Sequence, residues 1–253
     1  MRVFVAMLFV AVIALAVRAD GAVFNFDMNA DPTDLASVDL DGNSSADLSA
    51  WTLNGGSMSV SGGMLTIDAA GTKYAGYTTD AGSTPNAIWQ NVGGSVAGGY
   101  EIETRLKVDS STGANGALYL GVRPKPAGQT TDGVLLWIGA TGQSWGGSAQ
   151  GLGLGTEDNS SEFHTFRIVA APGGGDGAYS VYRDGALLAG GLNSGQSGDG
   201  GAPAFELGAL ASSCHGVTQV DYLSFTVVPE PGTLTLAGMG LIGLLAYAWK
   251  KRK

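Results

Sequence analysis

Tyr100-Glu-Ile-Glu-Thr-Arg-Leu-Lys-Val108 alternates apolar or neutral with charged residues from end to end. Tyr100, Ile102, Thr104, Leu106 and Val108 fall on one side, and Glu101, Glu103, Arg105 and Lys107 on the other. A period of two is the mark of a strand with one face in a core and the other in water. Working outward, other runs carry the same signal. Ala117 to Val122 gathers Leu118, Leu120 and Val122, whereas Val134 to Ile138 is apolar on both faces and so predicts a central strand. Phe163 to Val169, Tyr179 to Arg183, Phe205 to Leu207 and Asp221 to Val227 predict further strands. Between Tyr179-Ser-Val-Tyr182 and Ala186-Leu-Leu-Ala189, the pair Asp184-Gly185 predicts a tight hairpin turn.

Forty-two glycines punctuate these runs, many in pairs such as Gly55-Gly56, Gly62-Gly63, Gly93-Gly94, Gly98-Gly99 and Gly146-Gly147. No long stretch has helical periodicity, so the body is all-β with many tight turns. The two ends differ. Met1-Arg2 followed by the apolar Val3 to Val17 and then Ala19, Gly21 and Ala22 reads as a secretory leader, cut after Ala19 or after Ala22. At the other end, Thr233 to Trp249 is apolar and about 25 Å long as a helix, just enough to cross a bilayer. Lys250, Lys251, Arg252 and Lys253 follow it and should stay cytoplasmic. The expected organisation is a leader at 1–22, a β-sandwich at 23–227 and a membrane-directed segment at 228–253.

Charge narrows the partners. Between Asp20 and Pro231 lie all 22 acids and only seven basic residues, a net −15 against −9 for the whole chain. Such a body offers no footprint for a phosphate backbone, which excludes nucleic acid as a partner. Cys214 is the single cysteine, so no intramolecular disulfide exists and core burial must stabilise the fold. Cys214-His215 does not read as a reactive pair, because adjacent strand residues point to opposite faces.

Three stretches could carry chemistry. Glu101 and Glu103 have the parity of paired carboxylates, but Arg105 occupies the third position and cannot exchange a proton at neutral pH. The plain reading of that stripe is a solvated ion-pair face. Asp39-Leu-Asp41-Gly42-Asn43 clusters oxygen donors about a glycine, as Ca²⁺ requires, with Asp39, Asp41 and Asn43 as ligands. Set on a calcium loop with Gly42 at its sixth position, however, both end positions, Ser37 and Leu48, lack suitable ligands, and an acidic turn is the plain alternative. No other cofactor is expected. Sugar stacking needs an aromatic face, and Trp145, in the Gly-rich Gly142-Gln-Ser-Trp-Gly-Gly147, and Trp137, sharing a strand face with Leu135, are the candidates. Loop anchoring for Trp145 and core packing for Trp137 are the alternatives. His164 and His215 lack metal-ligand spacing.

Two resemblances rest on these residues. Val228-Pro229-Glu230-Pro231, the short Gly/Leu-rich apolar run and the basic terminus resemble the PEP-CTERM sorting signal of Gram-negative bacteria. The leader implies export by the Sec machinery and the apolar run anchoring by a C-terminal transmembrane helix, while the resemblance implies recognition by an exosortase-type membrane enzyme at or near Pro229, Glu230 and Pro231. The destination it implies is the cell surface or the exopolysaccharide matrix. Between the ends, Trp51…Gly62-Gly63-Met64-Leu65-Thr66-Ile67, the Tyr100–Val108 run, Phe163-His164-Thr165-Phe166-Arg167-Ile168, Tyr182-Arg183-Asp184-Gly185 and Val220-Asp221-Tyr222-Leu223 resemble a concanavalin A-like or laminin G-like jelly roll. That likeness implies a sandwich of two antiparallel sheets, often with sugar-binding or adhesive roles. The expected role is non-catalytic, structural or glycan-associated. A secreted polysaccharide-active enzyme, a laminarinase-type glycoside hydrolase of the same fold, is the alternative.

Overall fold

The computed structural model describes residues 23–27, 37–38, 48–78, 99–123, 132–146, 152–172, 178–193, 196–197, 204–209 and 213–227. The expected leader, Asp39, Asp41, Asn43, and Pro229, Glu230 and Pro231 with the apolar run after them lie outside the described residues. Every described element is a strand. In chain order they are β1 (Val23–Asp27), β2 (Ser37–Val38), β3 (Leu48–Leu53), β4 (Ser57–Ser61), β5 (Met64–Asp68), β6 (Tyr74–Thr78), β7 (Tyr100–Ser111), β8 (Leu118–Arg123) and β9 (Asp132–Gly139). They continue with β10 (Gly142–Trp145), β11 (Leu152–Gly155), β12 (His164–Ala170), β13 (Tyr179–Arg183), β14 (Ala186–Leu192), β15 (Gln196–Ser197), β16 (Ala204–Ala209) and β17 (Gly216–Val227).

These strands form two antiparallel sheets in a jelly-roll-like sandwich. Sheet 1 runs β14-β13-β12-β7-β17-β5-β4, with β1 also paired to β17. Sheet 2 runs β11-β10-β9-β8-β16-β6-β3-β2, with β15 paired to β9. At the centre of sheet 1, β17 lies along β7 from Gly216↔Ser111 to Val227↔Tyr100. Its other edge is shared end to end by β5, against Val217 to Val220, and β1, against Tyr222 to Thr226.

The alternation read in the sequence is the alternation observed. Tyr100, Ile102, Thr104, Leu106 and Val108 of β7 are buried, and Arg105 is exposed between them. Phe166 and Ile168 of β12 and Leu223 and Phe225 of β17 join them from sheet 1, facing Leu118, Leu120, Leu136 and Ile138 of sheet 2. Each large side chain of this kind stabilises the fold by about 1.5–3 kcal/mol. The central-strand expectation for Val134 to Ile138 also holds, since all five residues are buried. Asp184 (φ 50) and Gly185 (φ 79) form the expected β13–β14 turn, both in the left-handed region that such a two-residue hairpin demands. Gly62 (φ 60) and Gly63 (φ 76) do the same between β4 and β5.

Candidate functional site

The outward face of sheet 1 carries most of the charge-bearing chemistry the sequence suggested. Register places Glu101, Glu103 and Arg105 of β7 beside Val169, Arg167 and Thr165 of β12 and beside Thr226, Ser224 and Tyr222 of β17. Each charge on β7 meets a partner. Arg167 Nη1 lies 3.6 Å from Glu101 Oε1, and the Arg167 guanidinium sits over the Tyr182 ring, 4.4 Å from its centroid. The Tyr222 hydroxyl donates to Glu103 Oε1 at 2.7 Å. Burial, and next the bond to Glu103, push that hydroxyl above its ordinary pKa. Arg105 pairs with Asp221 and covers the Phe163 ring at 5.1 Å. Lys107 Nζ reaches Asp109 Oδ1 at 2.9 Å, and Gln219 Nε2 donates to Asp109 Oδ2 at 2.6 Å. The stripe is therefore a cross-strand ion-pair and hydrogen-bond lattice. Glu101 and Glu103 are two positions apart on one strand, about 7 Å, and each is already engaged by a neighbour. Such pairs contribute little individually at a solvated surface, but together they fix the side chains in place.

The two tryptophans lie elsewhere, and neither offers a free ring. Trp145 is the last residue of β10 rather than a loop residue, and it is only 3 % exposed. Its position opposite Leu136 turns it inward, where its ring meets Tyr179 of sheet 1 at 5.7 Å and its Nε1–H donates to Asn193 O at 2.8 Å. Trp137 points to the outer side of sheet 2, as its parity with Leu135 requires, yet it is 2 % exposed. Its ring packs on cross-strand Tyr119 at 5.1 Å, and its Nε1–H donates to Gly146 O at 2.5 Å. Trp145 and Trp137, the two candidates for glycan stacking, thus each have an indole engaged by an aromatic neighbour and a backbone carbonyl.

A second polar constellation, which sequence reasoning passed over, sits where the β11–β12 connection crosses the β9–β10 hairpin. Asn159 is fully buried. Its Nδ2 donates to Gly139 O at 2.9 Å, Gly142 O at 3.3 Å and Gln143 Oε1 at 3.3 Å. Its Oδ1 accepts from Arg183 Nε at 3.0 Å, while Arg183 Nη2 donates to Asp158 O at 2.6 Å. Gln143 Nε2 in turn donates to Glu157 Oε2 at 2.6 Å. Next to this latch, His164 Nδ1 lies 2.8 Å from Asp184 Oδ2, and Asp184 Oδ1 accepts the Thr165 amide at 2.9 Å. Half of these bonds run to backbone and half join side chains, so the cluster holds the connection in place.

Acid should loosen this corner. Burial raises the Asp184 pKa, but the Thr165 amide, His164 and Arg183 outweigh it and hold the carboxyl below its ordinary value. The Ser160 hydroxyl and amide lower Asp158 to about 2. A carboxyl whose folded pKa is depressed stabilises above its unfolded pKa, and that contribution is lost as pH falls through the folded value. Asp184→Asn keeps the left-handed turn, which asparagine tolerates, and removes only the charge. Its melting temperature is expected to fall less than that of the parent protein between about pH 6 and about pH 3, as followed by circular dichroism.

Cys214 is fully buried and burial pushes its thiol up, while His215 Nδ1 donates to Lys73 O at 3.0 Å and its ring meets Tyr74 edge-on. The two do not form a thiol–imidazole pair. Among the described residues no group of three or more His, Cys, Asp or Glu side chains is gathered to hold a metal.

Fold and termini together define an all-β sandwich that carries its address at its C-terminus. The PEP-CTERM protein-sorting motif matches residues 227–253, which marks an exported, surface-directed protein and implies recognition by exosortase-type processing machinery. No curated protein matches the chain. Among solved structures, a Trypanosoma rangeli sialidase in complex with 2,3-difluorosialic acid is similar over 83 % of this chain and 31 % of its own, with 14 % identity and a TM-score of 0.53. The chain therefore spans about a third of that enzyme's length. The cellulose induced protein Cip1 is similar over 72 % of this chain and 92 % of its own, with 11 % identity and a TM-score of 0.45. A carbohydrate esterase of the Shiga toxin-encoding bacteriophage phi24B covers 73 % and 91 %, with 17 % identity and a TM-score of 0.43. At 14 % identity the likeness to the sialidase speaks of the fold alone.

Proposed function

We propose that the chain is a non-catalytic structural or glycan-associated protein of the cell surface or extracellular matrix, delivered through the Sec machinery and an exosortase-type enzyme. The leader starts export, the C-terminal helix holds the protein at the inner membrane, and processing near Pro229, Glu230 and Pro231 releases it. The observation that favours a non-catalytic role is the engagement of Glu101 by Arg167 and of Glu103 by Tyr222. A retaining glycosidase needs one free carboxylate nucleophile and one acid about 5–5.5 Å from it. A calcium loop at Asp39, Asp41 and Asn43 is part of this reading as an accessory to stability, and a glycan partner would lie against the polar face of sheet 1.

Sorting is tested by intact mass of the released protein. The expected result is loss of the segment that begins near Pro229, and retention of full-length, membrane-bound chain when Pro229 and Pro231 are both replaced by alanine. The catalytic alternative is tested with β-glucans and reducing-sugar release. Turnover that disappears in Glu101→Gln and Glu103→Gln would overturn the proposed role.

A further inference from the structure

Sheet edges with open hydrogen-bonding groups invite another strand, and soluble proteins blunt them with bulges, charge, proline or very short strands. Among the described residues the two sheet paths end at β14, β4, β11 and β2, and three of these four are blunted. The pairing of β14 with β13 is broken by two register shifts, β11 is four residues long and meets β10 with another shift, and β2 is two residues long. The fourth end, β4, has none of these devices. It pairs with β5 in unbroken register from Ser57↔Asp68 to Ser61↔Met64, and contains neither charge nor proline. Among the described residues no strand lies on its other side.

The hairpin fixes which groups are open. Ser61↔Met64 flanks the two-residue Gly62-Gly63 turn and is the hydrogen-bonded kind of pair, so Ser57, Ser59 and Ser61 direct their amides and carbonyls to β5. Those of Met58 and Val60 therefore face outward. The order Ser-Met-Ser-Val-Ser reads nearly the same in both directions. Two antiparallel copies centred on Ser59 would set Ser57 against Ser61 and Met58 against Val60, twice over, each Met58–Val60 pair exchanging N–H and C=O. Their side chains match as well. The serines are exposed on one face, and Met58 and Val60 are half-buried against the core on the other, so a second copy would extend both faces without a clash.

Charge points to the same occupant. A body of net −15 repels its own kind, and the place where two copies meet least opposition is a charge-free strand. Asp68, the carboxylate beside Ser57, is already paired with Lys73 Nζ at 3.2 Å. We propose that β4 is a homodimer seam, at which a second copy of this chain adds its own β4 antiparallel about Ser59 and joins the two copies of sheet 1 into one continuous sheet.

The test is sedimentation of the full chain in mild detergent together with cysteine cross-linking. The parent protein is expected at twice the chain mass, and Ser59→Lys, which sets two like charges on the two-fold axis, is expected to halve it with the melting temperature unchanged. Ser59→Cys should form a covalent dimer under mild oxidation, because a non-hydrogen-bonded antiparallel pair brings Cα atoms to about 4.5 Å, within disulfide reach. Leu187→Cys, at the exposed edge strand β14, should not, and buried Cys214 stays silent. A monomeric parent protein, an unchanged mass in Ser59→Lys, or a folded Ser59→Cys variant that fails to cross-link would each overturn the proposal.

Discussion

Asn159→Ala is expected to cost about 3–5 kcal/mol of stability. The side chain is small, but it is fully buried and serves four partners at once. Alanine would leave the carbonyls of Gly139 and Gly142 without their Nδ2–H donor and Arg183 Nε without its acceptor. Buried groups left unpaired cost about 1–3 kcal/mol each, more when charged. Urea unfolding provides the measurement: the midpoint should fall while the slope is unchanged. Arg183→Ala combined with Asn159→Ala should cost less than the sum of the two alone, since both remove one shared bond. Additive costs would show that the latch is not a coupled unit.

Gly216→Ala has an expected loss above about 3 kcal/mol. A Cβ at Gly216 would stand 2.1 Å from Ser110 O and 2.6 Å from Ala117 Cβ. Neither neighbour can yield cheaply. Ser110 belongs to β7, and the carbonyl of Gly216 accepts the Ala69 amide at 2.8 Å, tying β17 to the end of β5. Gly153→Ala is the matched control, because open space surrounds its Cβ position. Thermal melts of the two variants should differ by many degrees, and equal melting temperatures would refute the close-approach argument.

The fold was legible wherever one residue decided one face. Tyr100 to Val108 and Val134 to Ile138 show burial in the alternation itself, and Asp184-Gly185 shows its turn in the need for two left-handed residues. Strand pairing was less legible, because order across a sheet is set by contacts between distant segments. Arg167 and Tyr222 lie far from Glu103 in the chain, and no local period announces that they flank it. Trp145 looked like a loop residue because Gly142 and Gly146 bracket it, whereas glycine here lets β10 fold tightly against β9. Asn159 is hidden in the sequence for the opposite reason. Asp158-Asn159-Ser160-Ser161 has the composition of a solvated turn, and only the hairpin crossing above it makes the asparagine a core residue. β17 begins at Gly216, five residues before the alternation from Asp221 becomes clear, because Gly216 to Val220 alternates weakly and depends on β5 and β7 for its definition.

The matched sorting motif starts at Val227, which is also the last residue of β17, so in sequence it abuts the central strand of sheet 1. Any pull on the C-terminus is delivered straight along β17. The bonds that resist it stand across the direction of pull on both edges, to β7 on one side and to β1 and β5 on the other. A strand loaded this way must shear many bonds together instead of unzipping them in turn. Load applied at the end of β17 therefore meets two rows of bonds at once, and the sandwich is held through a strand paired along both edges.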